Sequence, residues 1–245
     1  MKDHDTPGAG GTTAVTPVAG PGPGRTGLDQ PRILGAAVRF IDENGLRELT
    51  MRRLGAYLDV EGMALYRYVP GREALLDGVV ETVVDELFGD PDVHLEARAG
   101  WADYLRRLAH GLRRIALAHP EVFPLVATRP PAAPWIRPPL RSLRWIESML
   151  TVMTSAGFSD EAAAAAYRAF SSFLLGHLLL EVSARGVEAG LDAVPTGDLS
   201  AYPILRRMEP HLARDGAAQD FEEALEALLD RVTLLLPPPR AVDLR

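Results

Sequence analysis

Residues 49–76 read LTMRRLGAYLDVEGMALYRYVPGREALL, and this stretch decides the fold. It predicts two short helices across a tight turn, then a third helix that leaves the unit. Thr50 can cap the first helix, because its hydroxyl accepts from a first-turn backbone N–H that has no intrahelical partner. Leu54 and Leu58 fall one turn apart on one face. Asp59-Val60-Glu61-Gly62 is short and polar enough to be only a turn, with Gly62 freeing the backbone. Ala64, Leu65 and Tyr66 open the second helix, and Pro70-Gly71 stops it. Two helices so joined, the second bearing Arg67 and Tyr68, suit a helix-turn-helix that offers its second helix to the major groove. Spacing alone is equally compatible with an ordinary helical corner, because this signature is loose.

The residues narrow the choice. Leu49, Thr50, Arg52, Leu54, Leu58, Val60, Leu65, Tyr66, Tyr68, Val69, Arg72 and Leu75-Leu76 form a pattern that resembles the DNA-binding domain of TetR-family transcriptional regulators. The resemblance reaches upstream through Arg32-Ile33-Leu34-Gly35-Ala36-Ala37. It continues more weakly downstream in Trp101, Thr128-Arg129-Pro130, Gly157-Phe158-Ser159 and Leu175-Gly176, which look like the tetracycline-repressor subgroup. It implies an all-α chain: a three-helix DNA-binding domain, then a larger helical domain for effector binding and dimerisation. Residues 1–27 read as a disordered arm, 28–88 as the DNA-binding domain with its connecting helix, and 89–245 as the second domain.

Composition bounds the function classes. The chain has 245 residues, 47% of them hydrophobic, which allows a sizeable core. It has no cysteine, so disulfides, thiolate metal sites and a cysteine nucleophile are excluded. The net charge of -7 means that DNA binding must come from a local patch. Lys2 is the only lysine and Asn44 the only asparagine, which points to a GC-rich bacterial genome. No apolar run reaches the ~18 residues of a membrane span, and the Gly/Pro-rich N-terminus lacks a signal-peptide core, so a cytoplasmic protein is expected.

By this resemblance the DNA contacts are Thr50, Arg52, Met63, Ala64, Tyr66, Arg67, Tyr68 and Arg72. Met63, Ala64 and Arg67 face base edges. Thr50, Tyr68 and Arg72 hold the backbone, Arg52 reaches a phosphate or a guanine, and Tyr66 packs in the core, meets the backbone, or both. Phosphate contacts position the protein and the few base contacts specify sequence. Gly62-Met63-Ala64 supply few hydrogen bonds to bases, which leaves Arg67 as the main polar reader.

Downstream, helices are expected over about 72–88, 95–119, 139–156 and 160–185, and from Asp220 in a capping-box arrangement with Glu223. Trp135, in a proline-rich run, is expected to plug the core, the alternative being part of a lid over a pocket. The last two long helices carry more apolar surface than one chain needs. The family pairs them with their copies in a second subunit, through Phe173, Leu174, Leu178, Phe221, Leu225, Leu228, Leu229 and Val232 here. The alternative is burial within one chain. The effector site would be lined by Phe88, Leu108, Leu112, Leu125, Met149 and Tyr167, which suits an apolar or aromatic small molecule. The tetracycline repressor holds its drug through magnesium, with a histidine and a glutamate. Those positions fall here on Leu125 and Leu180, with Glu181 one residue away, so no metal or other cofactor is expected. No G-x-S-x-G, H-E-x-x-H or phosphate loop is present, and no enzyme is expected.

The sum is a ligand-responsive repressor that binds a palindromic double-stranded operator as a homodimer. Two rivals stay open: a ligand-independent DNA-binding regulator, and a small-molecule binding protein that has lost operator recognition.

Overall fold

The computed structural model describes residues 27–89, 93, 99–130, 135–136, 142–188, 199–214 and 216–237. The arm expected over residues 1–27 lies almost wholly outside them. Among the described residues there is no strand, and ten α-helices and one 3₁₀ turn make up the fold.

Helix α1 (Gln30–Asn44) is capped by Asp29, whose carboxylate accepts from the Arg32 N–H, and Pro31 occupies the first turn. Gly45 ends it with φ 82° and ψ 152°, a positive φ that glycine adopts without a Cβ clash. A 3₁₀ turn (Leu46–Glu48) leads into α2 (Met51–Tyr57), α3 (Gly62–Leu65) and the connecting helix α4 (Arg72–Gly89). Ile33, Ala37, Ile41, Leu54, Leu65, Leu75 and Val79 are all fully buried and form the core of this first unit.

The second unit is α5 (Trp101–Ala118), α6 (Phe123–Thr128), α7 (Leu143–Ser155), α8 (Asp160–Glu188), α9 (Pro203–Leu212) and α10 (Ala217–Thr233). Helix α8 runs through its centre, packing on α5, α6, α7 and α10, and α4 joins the units by packing on α1, α5 and α6. Ser159 caps α8 by accepting from the Ala162 N–H, with Asp160 and Glu161 in the first turn.

Several expectations need correction. Helix α5 starts at Trp101 rather than near Leu95, which lies outside the described residues. Helix α7 starts at Leu143, and Leu143 points outward. Trp135 is 80% exposed and plugs nothing; the neighbouring Ile136 is the buried residue. Helix α9 lies between the helices expected from the sequence. Helix α10 starts at Ala217 with Gly216 as its N-cap, so Asp220 and Glu223 lie inside the helix and form no capping box. Residues 160–184 are long and apolar enough, by length and composition alone, to cross a membrane, and 44% of their apolar 18-residue window is buried inside the chain.

Candidate DNA interface and effector site

The helix-turn-helix is tighter than its sequence suggested. Thr50 Oγ1 accepts from the Arg53 N–H at 3.2 Å, as expected. The positive φ of the turn sits on Asp59 (57°), not on Gly62. Gly62 is needed for close approach: a Cβ there would lie 3.0 Å from the Met51 carbonyl oxygen. Gly55, unremarked in the sequence, is tighter still, with its Cβ position 2.7 Å from Gly62 N. Two glycines therefore let α2 and α3 cross backbone to backbone. Helix α3 begins at Gly62 rather than Ala64, and Tyr66–Tyr68 continue as a turn closed by the Tyr68 and Val69 N–H groups donating to the Leu65 carbonyl. Val69 precedes a proline, which disfavours further helix.

This geometry buries Leu65 and presents its neighbours. Thr50, Arg52, Met63, Tyr66, Arg67, Tyr68 and Arg72 are exposed and Ala64 is half-buried. Met63 is 74% exposed although nothing polar recommends that. Beside it a shallow depression of about 520 Å³ opens between Arg52, Glu61, Met63 and Tyr66. Tyr66 is thus on the surface rather than in the core. Arg72 Nε donates to the Leu49 carbonyl at 3.4 Å, which ties α4 to the start of α2. Arg53 is paired with Glu48 and lies over the Phe40 ring, so it serves the scaffold.

The residues expected around an effector are all at least partly covered. Leu108, Leu112, Leu125, Met149 and Tyr167 are buried and Phe88 is half-buried, on α5, α5, α6, α7, α8 and α4 respectively. The Arg144 guanidinium lies 3.8 Å from the centre of the Phe88 ring. Burial pushes the Tyr167 phenol up to about 12, and it raises the Tyr104 phenol against the opposing effects of a hydrogen bond to Ser148 and the charge of Arg107. Leu125 faces inward whereas Leu180 is 73% exposed. Glu181 turns inward instead, where Arg113 grips it with two hydrogen bonds of 2.6 and 3.0 Å. Among the described residues no group of three or more His, Asp or Glu could hold a metal ion.

Both ends of α6 are strapped to the first unit. Before it, His119 Nδ1 lies 2.6 Å from Asp42 of α1 and its Nε2 3.4 Å from Glu86 of α4. After it, Arg129 donates from Nε to Asp77 at 3.0 Å and from a terminal nitrogen to Glu73 at 2.9 Å, both on α4. Sequence spacing gave no sign of these contacts, which join residues 33 to 77 positions apart.

The side chains expected at a subunit interface are largely covered by this chain itself. Leu174, Leu178, Phe221, Leu225, Leu229 and Val232 are buried within the single chain, and Phe173 and Leu228 pack partly against the same core. Residues 33–79 match the family described as bacterial regulatory proteins, tetR family. Residues 95–234 match the tetracyclin repressor-like C-terminal domain.

The chain belongs to the TetR family. An HTH-type transcriptional regulator of Saccharopolyspora erythraea is 31% identical over 154 residues, covering 63% of this chain, and the chain spans 61% of that relative's length. The class D tetracycline repressor protein of Escherichia coli is 29% identical over 204 residues, covering 82% of this chain and 88% of the repressor. Among solved structures, the Streptomyces coelicolor TetR family protein ActR in complex with actinorhodin superposes with a TM-score of 0.65 at 26% identity, covering 85% of this chain and 96% of ActR. Membership makes the chain a DNA-binding transcriptional regulator of the repressor type, with an N-terminal helix-turn-helix and a ligand-binding type of C-terminal domain.

Proposed function

We propose that this TetR-family protein is a cytoplasmic repressor that holds a palindromic operator as a homodimer and releases it on binding a small apolar or aromatic molecule. One observation carries the reading: the helix-turn-helix that presents Met63 and Arg67 packs through α2 on α1, α1 packs on α4, and the residues flanking α6 strap α1 and α4 to the apolar centre of residues 89–245. A molecule that displaces α6 from that centre acts on both straps. Arg67 reads base edges with Met63 and Ala64, while Thr50, Arg52, Tyr66, Tyr68 and Arg72 hold the DNA backbone. Two-fold symmetry then sets half-sites one helical turn, ~34–36 Å, apart. The subunits meet along the outward side of α8, where Ala169, Ser172, Gly176 and Leu180 follow one another at helical spacing, with Phe173 and Leu228 at the rim. The effector lies among Leu108, Leu112, Leu125, Met149 and Tyr167. ActR's complex with actinorhodin supports an aromatic molecule.

The test is fluorescence anisotropy on DNA from the gene's own upstream region against a scrambled duplex, over a salt series. Non-specific binding is mostly phosphate neutralisation and falls steeply with salt. Arg67→Ala is expected to weaken binding to the native fragment much more than to the scrambled one, and Arg72→Ala to weaken both. Loss of both at the same salt would favour a small-molecule binding protein without operator recognition, a reading that the apolar Gly62-Met63-Ala64 supports. A C-terminal domain whose melting no hydrophobic compound shifts would favour a ligand-independent regulator.

A further inference from the structure

The chain has no cysteine, so its six methionines carry all of its sulfur. Five of them fall among the described residues, in unequal surroundings. Met149 and Met153 are fully buried, and Met51 is buried in the first unit. Met208 on α9 is 37% exposed, whereas Met63 on α3 is 74% exposed. An oxidant in solution reaches a thioether by collision, so exposure selects which methionine reacts. Met63 is by that measure the foremost target.

Packing keeps Met63 outside. Gly62 before it stands so close to α2 that a Cβ would lie 3.0 Å from the Met51 carbonyl oxygen and 3.1 Å from Arg52 Cα. Leu65 after it turns inward and is fully buried. The Met63 side chain therefore borders the surface depression with Met51, Ala56, Val60 and Tyr66. An unbranched apolar side chain at this place meets base edges and thymine methyl groups by contact and burial. A sulfoxide changes that chemistry, because its oxygen is strongly polar and can only accept a hydrogen bond. Purine N7, guanine O6 and thymine O4 accept as well, so most polar atoms facing the major groove offer it nothing. Covering that oxygen with DNA leaves a polar group unpaired.

We propose that Met63 is an oxidation site, and that its conversion to the sulfoxide by hypochlorous acid or a peroxide releases the protein from its operator. The sulfur lone pair takes an electrophilic oxygen from the oxidant: an S–O bond forms and the O–Cl or O–O bond breaks. Hypochlorous acid leaves chloride and a proton, and hydrogen peroxide leaves water. The thioether loses two electrons and the oxidant gains them. The inference rests on the reading that α3 lies against operator DNA. Bound DNA covers Met63, so the free protein is the species oxidised, and the oxidised pool no longer rebinds. Enzymatic reduction of the sulfoxide restores the thioether.

The full chain would be treated with graded hypochlorous acid and quenched with free methionine. Peptide mass spectrometry would then measure sulfoxide at each methionine, and anisotropy would measure binding to the native upstream fragment and to a scrambled duplex. Met63 is expected to oxidise before Met208 and well before Met51, Met149 and Met153. Affinity for the native fragment should fall by about tenfold, the worth of one lost base contact, in step with Met63 sulfoxide. It should return on treatment with methionine sulfoxide reductase, and binding to the scrambled duplex should change by about twofold or less, since phosphate contacts carry it. Met63→Leu, from whatever affinity it starts, should keep that affinity through the same oxidant dose. Bound native fragment should slow oxidation of Met63 and leave that of Met208 unchanged. Full oxidation of Met63 with affinity for the native fragment unchanged would overturn the inference and leave the operator reading standing. An equal fall in Met63→Leu would overturn it too, because the damage would then lie at another residue. If the untreated protein discriminates neither duplex and DNA leaves Met63 oxidation unslowed, the operator reading and this inference fall together.

Discussion

Gly55→Ala tests the claim that the helix-turn-helix is held by backbone contact. An added Cβ would lie 2.7 Å from Gly62 N, 2.8 Å from Gly62 Cα and 2.9 Å from the Val60 carbonyl oxygen, where ordinary contact begins at 3.4 Å. All three neighbours are main-chain atoms, so no side chain can rotate away. Helix α3 must move outward by several tenths of an ångström, against a turn whose Val60 N–H donates to the Gly55 carbonyl itself at 2.9 Å. Overpacking of this kind costs about 1–3 kcal/mol, against a gain of up to ~1 kcal/mol from alanine's helix propensity. A net loss of about 1–2 kcal/mol lowers the melting temperature by roughly 2–8 °C in a chain of this size. Displacing the base-reading residues should also weaken operator binding, since one lost base contact is worth about 1–3 kcal/mol. The control is Gly35→Ala in α1, where the nearest atom to the new Cβ is the Arg39 guanidinium at 3.8 Å. That change should stabilise by about 0.5–1 kcal/mol. Scanning calorimetry and anisotropy on both variants decide the matter. A Gly55→Ala protein with wild-type melting and operator affinity would refute the reasoning.

Glu181→Ala leaves the largely buried Arg113 without its carboxylate and should cost about 3–5 kcal/mol in urea unfolding, whereas Glu181→Leu combined with Arg113→Met should recover most of the loss. If the double variant is no better than the single one, the pair is not the cause. Burial holds the Tyr167 phenol neutral up to about 12 against an ordinary 10.0, so the stability tied to it is complete below pH 10. It falls as pH rises from there to about 12, and Tyr167→Phe should flatten that decline, which alkaline unfolding curves would read. His119→Gln and Asp42→Asn each loosen the strap before α6. Each should reduce the factor by which a small molecule that shifts the protein's melting weakens operator binding, a coupling typically worth ~1–3 kcal/mol. An unchanged factor in both variants would rule out that strap as the route.

Much was legible because it is local. Thr50 and Leu54 specify a capped helix, and Pro70 and Pro31 mark boundaries through the N–H they lack. What misled was also local. Pro203 and Pro210 are of the residue type that ends helices, yet the first sits in the opening turn of α9, where it costs nothing, and the second lies near the end. Asp220 and Glu223 have capping-box spacing but lie in a helix that Gly216 had already begun. Trp135 looked like a plug only because aromatic residues are usually covered, and no described element covers it.

By itself the sequence determined that the chain is helical, where most helices run, and that residues 49–76 make a helix-turn-helix, because a period of 3.6 and a cap are written in adjacent residues. Only the tertiary structure decided what covers each face. Periodicity put Leu174, Leu178, Phe221 and Leu225 on shared stripes without saying whether a second subunit or the chain's own helices would bury them. The same holds for Gly55, Glu181, His119 and Arg129, whose roles arise from atoms brought within ångströms by packing between segments far apart in the chain.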